Sequence, residues 1–393
     1  MNNPIKIAIY SGVAPSTTFI ERLIHGLAEK RFKVYLFGVQ KRKTTTSKNI
    51  FYITYSNKFS KLLILLKYSF LLSLFKPSEK KKLDRIISNK NKNSRFLKIK
   101  YYPVLYHQPD IFHLQWVKGI EDWMWVQDFG IKLIVSLRGA HINYSPISDL
   151  KIATTYKALF PKVDGFHAVS KAIAIEAQKY SAALHKIKVV YSGLDLEKLP
   201  FQLKKFEADA MLRIVSVGRD HWKKGYTYAL NSVKLLKDVG IDFHYTIIGV
   251  RTNEELLHQR SQLGLEKEVS FIEKSPFEEV LKEMQAADVL LLSSVEEGIA
   301  NVVLESMALG TLVITTDCGG MYEVVSDNEN GFLIPIRDAV SMASALQRAS
   351  NLSIEDYLKI TKAARRTIEK QHSQERMIKE MQAFYHKVLK SEL

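Results

Sequence analysis

Cysteine is nearly absent from this chain, and no apolar run is long enough to span a bilayer. The 393 residues contain one cysteine, Cys318, which excludes a disulfide within the chain and a metal cluster built on several thiolates, and favours a reducing compartment. No stretch reaches the ~18 uninterrupted apolar residues that predict a spanning helix. The first strand-like run, residues 5–10, begins with no signal peptide before it. We therefore expect neither a disulfide-bonded secreted protein nor an integral membrane protein.

Two ligand-binding signatures are also missing. Residues 11–15 (SGVAP), which follow the first strand-like run, do not fit Gly-x-Gly-x-x-Gly, and this counts against a dinucleotide-dependent oxidoreductase. The pattern Asp-x-Asp occurs nowhere. Residues 195–197 and 327–329 come near it, but the first triplet lies at a predicted domain end and the second in a predicted turn. A structural role is favoured for both.

Composition and periodicity predict an α/β protein of two domains. Hydrophobic content of 46% and aromatic content of 10% are typical of globular proteins, and 393 residues exceed one ordinary core. Strand-like runs alternate with helical stretches, the pattern of a parallel sheet with helices on both faces. The predicted strands are 5–10, 34–37, 111–114, 133–137, 165–169 and 187–191, followed by 213–217, 243–248, 269–272, 289–292, 312–315 and 331–334.

A polar stretch separates the two sets of strands. Residues 196–211 contain Pro200 together with Lys204, Lys205, Glu207 and Asp209, and this composition is typical of a linker. The first domain is accordingly predicted at 1–195 and the second from 196 to 370. Two doubly wound domains in tandem bind ligands beyond the carboxyl ends of their strands.

The positive charge is concentrated in residues 58–100. This segment has thirteen Lys and Arg but only two acids, and so carries +11 of the net charge of +16. Lys58, Lys61 and Lys76 share one helical face while Lys67 lies opposite, within largely apolar sequence. We favour contact with an anionic membrane surface, because the basic cluster and the apolar run are adjacent. The alternative is a core helix followed by a solvated basic loop. No nucleic-acid partner is expected, since no recognised nucleic-acid module accompanies the charge.

A strand, a turn and a helix follow one another between residues 289 and 310. The apolar run 289–292 leads into a helix that is predicted to start near Ala300 and to stop at Gly310. Such a helix start directs backbone N–H groups and the positive end of the helix dipole at a ligand, which suits phosphate. Glu297 and Glu305 would bracket the helix and hold hydroxyl groups on either side. A sugar and a ribose joined by a diphosphate meet these demands.

This segment resembles the Glu-x7-Glu signature of the retaining glycosyltransferases of family 4, which have the GT-B fold. The resemblance covers nearly the whole chain, weakly over residues 40–105 and strongly over 213–335. It implies an α/β fold of two Rossmann-like, doubly wound domains that face a central cleft. It also implies that the terminal helix, at about 353–393, crosses back to the first domain; in the domain division, residues 371–393 are assigned to this crossing helix.

The same resemblance assigns roles around the two carboxylates. It implies that Glu297 contacts the donor sugar and that Glu305 contacts the nucleotide ribose. The donor-binding backbone is predicted at Gly298, Ile299, Ala300 and Asn301.

Cations are predicted beside these carboxylates. Residues 215–225 (VSVGRDHWKKG) resemble the family's Gly-Arg…Lys-Gly word, so that Gly218, Arg219 and Lys224 would meet the donor diphosphate. Two cations there can neutralise charge on a departing diphosphate. Lys223 is interpreted as a spare cation that could exchange roles with Lys224. Metal independence is expected and no cofactor is predicted; the nucleoside-diphosphate sugar is a substrate.

The first domain offers a second set of family-like words. Residues 11–20 resemble the family's flexible loop, with Thr17 where Glu is usual, and Gly12 would let the backbone approach the donor or acceptor. The turn words at 317–323 and 330–331, which contain Gly319 and Gly320, resemble turns of the family's second domain.

Residues 135–141 (VSLRGAH) end a predicted strand. Relatives commonly have His-Gly-x-Asp there, so Arg138 replaces His and His141 replaces Asp. Arg138 would offer charge to the acceptor or the phosphate, and His141 a hydrogen bond; a structural role for His141 is the alternative. His113 and His167, inside predicted strands, are interpreted as structural.

The sequence thus predicts a retaining glycosyltransferase, with Glu297, Arg219, Lys224, Arg138 and His141 at the catalytic centre. It would transfer a sugar from a nucleoside-diphosphate donor to a lipid-linked or polysaccharide acceptor in bacterial cell-surface glycan synthesis, at the cytoplasmic face of a membrane. Two alternatives remain at this point: an epimerase acting on a nucleotide sugar, and a non-catalytic membrane-associated scaffold of the same fold.

Overall fold

The chain forms two compact units, and each is described by itself. The computed structural model describes residues 4–42, 44, 47–90, 93–203 and 211–391. Unit 1 comprises Met1–Val169, Ala174–Gly193 and Gln374–Leu393, and unit 2 comprises Ser170–Ile173 and Leu194–Ser373. The centre of the predicted linker, residues 204–210 with Lys204, Lys205, Glu207 and Asp209, lies outside the described residues.

Unit 1 is an α/β layer structure. Its strands are β1 (Lys6–Tyr10), β2 (Gly12–Ala14), β3 (Lys33–Gln40), β4 (Ile50–Tyr55), β5 (Ile111–Leu114), β6 (Lys132–Leu137), β7 (Gly165–Ala168) and β8 (Ile187–Val189). Its helices are α1 (Thr18–Glu29), α2 (Lys58–Phe75), α3 (Pro77–Ser88), α4 (Ser94–His107), α5 (Ile120–Trp123), α6 (Gly139–Asn143), α7 (Ser145–Ser148), α8 (Leu150–Leu159), α9 (Lys171–Gln178, which begins in unit 2) and α16 (Gln374–Leu389).

The sheet of unit 1 is parallel in every pairing among the described residues. From β3 the order continues β1, β5, β6, β7 and β8; β2 and β4 also pair with β3. The order therefore reverses between β1 and β5, as in doubly wound sheets. The apolar face of α16, with Met381 and Phe384, is buried in a core shared with α1 and the first strands.

Unit 2 has the simpler topology. Its strands are β9 (Leu212–Val217), β10 (Phe243–Ile248), β11 (Val269–Ile272), β12 (Val289–Leu292), β13 (Leu312–Thr316) and β14 (Phe332–Ile334), and its helices are α10 (Tyr226–Asp238), α11 (Glu254–Gln262), α12 (Phe277–Ala286), α13 (Asn301–Leu309), α14 (Ala339–Ser350) and α15 (Ile354–Gln371). The sheet is parallel, in the order β11-β10-β9-β12-β13-β14. This is the 3-2-1-4-5-6 order of the Rossmann fold.

Burial explains why these strands could be predicted from the sequence. All four residues of β12 (VLLL) are buried, because a parallel sheet is covered by helices on both faces and its central strands are apolar throughout. One core of unit 2 includes residues of α10 and α14, and a second includes residues of α12 and α13. The α/β class and the two doubly wound sheets are confirmed.

Three local predictions differ from the structure. Residues 12–14 form strand β2 in what was predicted to be a flexible loop, and β4 was not predicted. β2 is three residues long and β4 has an exposed Phe51 in an edge position, so neither shows a buried apolar run. The predicted terminal helix from about 353 is two helices, α15 and α16, that belong to different units.

Helix α2 exposes its apolar side chains. Six of them project from one face between 36% and 67% exposed, and we call them the α2 ridge: Phe59, Leu62, Leu63, Leu66, Phe70 and Leu74. The opposite face, with Tyr68 and Leu72 buried, packs toward α4 and α3. Among the described residues no helix combines the length and hydrophobicity needed to cross a membrane.

Candidate active site

Two loops meet where the strand order of unit 2 reverses. Residues 218–225 follow β9 and residues 293–300 follow β12, and these strands are neighbours. Backbone N–H of Val295 donates to the carbonyl of Lys223 at 2.7 Å, and the hydroxyl of Ser293 donates to the carbonyl of Lys224 at 2.8 Å. Ligands of doubly wound sheets bind at this position. The predicted cations and the predicted carboxylate Glu297 therefore lie at one site.

Glu297 is buried between two lysines. Its Oε1 lies 2.7 Å from Lys224 Nζ and its Oε2 lies 3.4 Å from Lys223 Nζ, while the hydroxyl of Ser294 donates to Oε1 at 3.3 Å. Burial by itself raises the pKa of Glu297, but the two ammonium groups outweigh it and hold this pKa below its ordinary value. Glu297 is therefore a carboxylate at neutral pH, able to accept hydrogen bonds but not to donate a proton.

Lys223, interpreted from the sequence as a spare cation, is engaged in the site. Its side chain is buried and is the second ionic partner of Glu297. The short turn Trp222–Lys224 that precedes Gly225 brings both lysines to the same carboxylate. The sequence signal was present, since the two lysines are adjacent, but adjacency alone does not show which side of the turn each one faces.

Arg219 lies on the same loop as the two lysines, and we call Arg219, Lys223 and Lys224 the cationic edge. Arg219 is exposed and makes no hydrogen bond or ion pair with any residue in the described ranges. Its guanidinium is thus available to a ligand, in contrast to the lysines, which are engaged with Glu297. An arginine with five unused donors suits bidentate binding of phosphate oxygens.

Helix α13 begins and ends as predicted. It runs from Asn301, with Ala300 as N-cap, and ends at Gly310 in the left-handed conformation. No side chain among the described residues caps its N-terminus, although the N–H of Ala300 lies 3.4 Å from Met321 Sδ. The remaining first-turn donors leave this helix end suited to an anion.

Glu305 does not bracket the helix at its far end. It is the fifth of nine residues of α13 and is only 9% exposed. The prediction placed one carboxylate at each end of the helix, but eight residues of separation include the four-residue turn from Glu297 to Ala300. Glu305 is therefore near the middle of the helix, within one and a half turns of its N-terminus.

Glycines fix the loop that carries Glu297. A side-chain carbon at Gly319, whose φ is +57°, would lie 1.8 Å from the carbonyl oxygen of Glu297, and one at Gly320 would lie 2.5 Å from that of Gly298. The N–H of Gly320 donates to the carbonyl of Gly298 at 2.7 Å. The tight turn at 319–320 therefore lies against the loop backbone and determines where Glu297 stands.

Gly218 is packed in the same way against the cationic loop. A side-chain carbon there would lie 2.8 Å from Lys224 Cε and 2.7 Å from the hydroxyl of Tyr226. The absence of a side chain lets Lys224 cross above the end of β9 to reach Glu297. Gly218 therefore acts through the placement of Lys224.

The predicted residues of unit 1 lie at the carboxyl ends of its strands. Gly12 has a φ of +85° and pairs in register with Gly38, where a side-chain carbon would lie 2.4 Å from the Gly12 carbonyl. Thr17 is the N-cap residue of α1 without a capping side-chain hydrogen bond. Gly12 thus serves a close strand contact, and its predicted role toward a ligand stays a prediction.

Arg138 follows β6 and contacts a residue that sequence reasoning missed. Its Nη2 donates to Gln115 Oε1 at 3.0 Å, and its guanidinium lies 4.5 Å from the ring centre of Phe19. Gln115 directly follows β5 and is fully buried; that position beside the end of a strand was the available signal. His141, in α6, has its ring 5.7 Å from that of Trp116.

His113 and His167 lie inside β5 and β7 as predicted, and both are buried. His167 Nε2 lies 3.0 Å from the Val190 carbonyl, so it carries the proton and Nδ1 accepts from Ser136. Ser136 in turn accepts from His113 Nε2 at 2.9 Å, and His113 Nδ1 accepts from the Tyr385 hydroxyl at 2.7 Å. This series of hydrogen bonds gives every ring nitrogen of the two neutral imidazoles a partner.

Comparison with known proteins gives a family match for most of unit 2. Residues 195–367 match the family described as glycosyl transferases group 1. Most of unit 2 is therefore similar to a group 1 glycosyl transferase domain. The match of this domain includes both site loops, α13 and the turn at 319–320, whereas it does not extend into the first 194 residues.

Two curated relatives of this chain have names that refer to bacterial polysaccharide biosynthesis. The putative colanic acid biosynthesis glycosyltransferase WcaL of Escherichia coli (strain K12) is 32% identical over 58% of this chain and 57% of its own length. The amylovoran biosynthesis glycosyltransferase AmsK of Erwinia amylovora is 34% identical over 48% of each chain. The chain thus spans about half the length of the curated relatives it matches.

The fold extends beyond the group 1 domain. The crystal structure of Anabaena Alr3699/HepE in complex with UDP and glucose is similar over 97% of this chain and 99% of that one, with a TM-score of 0.73 and 15% identity. The fold is that of the GT-B glycosyltransferases, with two Rossmann-like units.

Proposed function

We propose that the chain is a retaining glycosyltransferase that moves a sugar from a nucleoside-diphosphate donor to an acceptor hydroxyl. The observation that carries the proposal is the carboxylate of Glu297, buried against Lys224 and Lys223 at the switch point of a group 1 domain, beside the unengaged Arg219. Cations, a carboxylate and a helix N-terminus at one place are the groups that a sugar diphosphate requires.

Each group has one role in this proposal. Arg219, Lys224 and the first amides of α13 bind the diphosphate and neutralise the charge that develops on it as the glycosidic bond breaks. Glu297 accepts hydrogen bonds from sugar hydroxyls, and Glu305 orients the ribose. Because the pKa of Glu297 is held low by Lys224 and Lys223, Glu297 does not act as a general acid.

The proton therefore goes to the leaving group. The acceptor hydroxyl attacks from the face that the diphosphate leaves, so that the departing phosphate oxygen takes the hydroxyl proton and configuration is retained. No side-chain general base is needed, and none is assigned. The cationic residues supply the electrostatic stabilisation that a divalent metal would otherwise provide, so we propose metal-independent transfer.

The donor site is tested by thermal stabilisation with a panel of nucleoside diphosphates, with and without Mg²⁺. A ligand at a hundredfold excess over its dissociation constant should raise the free energy of unfolding by roughly 2–3 kcal/mol. Arg219→Ala should remove the shift without lowering ligand-free stability, since Arg219 is exposed and unengaged in the described structure. Arg366→Ala, an exposed arginine of α15, is the control and should keep the full shift.

The outcomes separate the alternatives. Absence of a shift with every nucleotide would contradict the donor site and favour the scaffold. A shift accompanied by conversion of the nucleotide sugar without any acceptor would favour the epimerase. A shift that requires Mg²⁺ would contradict metal independence.

A setting at an anionic membrane is part of this proposal. The α2 ridge presents six large apolar side chains on one helical face, and residues 58–100 carry thirteen cationic side chains. Apolar residues that enter the headgroup layer, together with lysines that meet anionic lipid, bind a membrane surface without spanning it. The acceptor is accordingly proposed to be a lipid-linked or polysaccharide chain in bacterial cell-surface glycan synthesis, at the cytoplasmic leaflet.

Flotation with vesicles tests this surface. We expect the wild-type protein to float with phosphatidylglycerol-containing vesicles and to float less with phosphatidylcholine alone. Leu66→Ser with Phe70→Ser should abolish flotation, because it removes two exposed apolar anchors while leaving the buried face intact. Val340→Ser with Ile354→Ser, equally exposed apolar residues of unit 2, is the matched control. Equal flotation of both double variants would remove the α2 ridge from the proposal and leave the transferase in place.

A further inference from the structure

Two buried donors in unit 1 have no acceptor. Gln115 and Arg138 follow β5 and β6, which are neighbouring parallel strands, so their side chains start from the same edge of the sheet. Gln115 is fully buried. Neither Gln115 Nε2 nor Arg138 Nε has a hydrogen-bond partner among the described residues.

The orientation of the Gln115 amide follows from its neighbour. A guanidinium can only donate, so the atom of Gln115 that lies 3.0 Å from Arg138 Nη2 is the oxygen. The NH2 group is then directed elsewhere and remains without an acceptor. The hydroxyl of Ser136 lies 3.5 Å from the oxygen of the Gln115 amide and is not a partner of its nitrogen.

The positive charge of Arg138 is also unbalanced. No carboxylate in the described ranges pairs with it. Its other contact is the ring face of Phe19 at 4.5 Å, which compensates a buried cation only in part. Burial lowers the pKa of Arg138 to about 9, so the guanidinium is still charged at neutral pH. Buried charges in proteins are normally paired with an opposite charge.

An anionic ligand would balance the charge of Arg138. The Arg138 side chain is partly exposed while its Nε is enclosed, so solvent and ligands can reach it from one side. A carboxylate or phosphate has oxygens for the accessible side of the guanidinium, and hydrogen bonds of that kind are strengthened by charge. The enclosed Gln115 holds Arg138 in place through its own amide oxygen.

We propose that Arg138, positioned by Gln115, binds an anionic group of the acceptor, a carboxylate of a uronic acid or a phosphate ester. The inference rests on the proposed function, because it takes the ligand of unit 1 to be the acceptor. It narrows the acceptor to chains that carry negative charge near the hydroxyl that is glycosylated.

The test compares three probes: methyl glucuronide, glucose 1-phosphate and neutral methyl glucoside. Binding is followed by the ligand-induced rise in melting temperature. All measurements are repeated in Arg219→Ala, because phosphate can also bind the cationic edge of unit 2. A shift that persists in Arg219→Ala is assigned to unit 1.

Gln115→Glu is the decisive variant. It has the size of the native side chain and places a carboxylate beside Arg138, so it should raise ligand-free stability and weaken the charged probe by about 10–100-fold. Arg138→Met should also lose the charged probe without lowering ligand-free stability, because it removes an unpaired buried charge. A purely structural role for Arg138 predicts the opposite, a loss of stability.

The results decide which anionic group, a uronic acid carboxylate or a phosphate ester, is bound in unit 1. Binding of glucuronide alone supports a uronic acid, binding of glucose 1-phosphate alone supports a phosphate ester, and binding of both supports an anionic acceptor of either kind. Equal binding of the neutral glucoside, or a shift that Gln115→Glu leaves unchanged, would overturn the inference. Neither result would affect the nucleotide panel, which tests the donor site separately.

Discussion

Lys224→Met should lower kcat by about 10²–10³-fold, the usual loss when one preorganised electrostatic group is removed from an active site. Lys224 Nζ lies 2.7 Å from Glu297 Oε1 and is proposed to share its remaining donors with the departing diphosphate. Methionine keeps the apolar stem of the side chain, so the packing of Lys224 beside Gly218 is retained. The measurement is the rate of nucleoside-diphosphate release from the donor that the thermal panel identifies.

Lys223→Met is the matched control for this prediction. Both lysines reach Glu297, but Lys223 is the more distant at 3.4 Å and is the more buried. We expect Lys223→Met to lower stability more than turnover. A large loss of kcat in Lys223→Met with normal turnover in Lys224→Met would transfer the role to Lys223. A Glu297→Ala enzyme with nearly wild-type turnover would contradict the site as a whole.

Acidification from pH 6.5 to pH 5 should destabilise unit 1 by roughly 3 kcal/mol through His113 and His167. His107, whose pKa burial lowers to about 4, adds to this loss. Burial holds the pKa of His113 well below its ordinary value and lowers that of His167 to about 3. Both imidazoles therefore stay neutral in the folded protein, whereas the unfolded chain protonates them near pH 6.5. The unfolded state binds more protons below that pH, so this stability is present above about 6.5 and is lost as the pH falls toward 3.

The measurement is denaturant unfolding at a series of pH values, followed by tryptophan fluorescence. Three of the four tryptophans, Trp116, Trp123 and Trp125, belong to unit 1. His167→Gln should remove about one third of the slope of unfolding free energy against pH that His107, His113 and His167 produce together. His185→Gln is the control, because His185 is exposed to water in the folded protein. An unchanged slope in His167→Gln would show that other groups cause the acid sensitivity.

Much of the architecture follows from local sequence. The central strands of both sheets were predicted because their residues are buried on both faces and are apolar without interruption, as in β12. The ends of α13 were predicted from Ala300 and Gly310, where backbone chemistry is local. Short or edge strands such as β2 lack this signal.

The details of the site depended on contacts that the sequence does not encode locally. The engagement of Lys223 with Glu297 requires two loops that are more than seventy residues apart. Gln115 carries no motif, and its importance arises only because Arg138 and Ser136 lie around it. The exposure of the α2 ridge depends on which face packs toward α4, and a helix with apolar residues on every face does not determine this by periodicity.

The glycine turn at 319–320 has a consequence for how such a protein can diversify. The position of Glu297 is set by backbone atoms, through the close approach of Gly319 and the hydrogen bond from Gly320 to the carbonyl of Gly298. Apart from Lys223, Lys224 and Ser294, which contact the carboxylate itself, neighbouring side chains can change without moving the backbone of Glu297, because they do not take part in these contacts. Substitutions elsewhere around the site can therefore change which ligand is preferred while the backbone position of Glu297 stays the same. Substitution of Gly319 or Gly320 would be the change most apt to displace it.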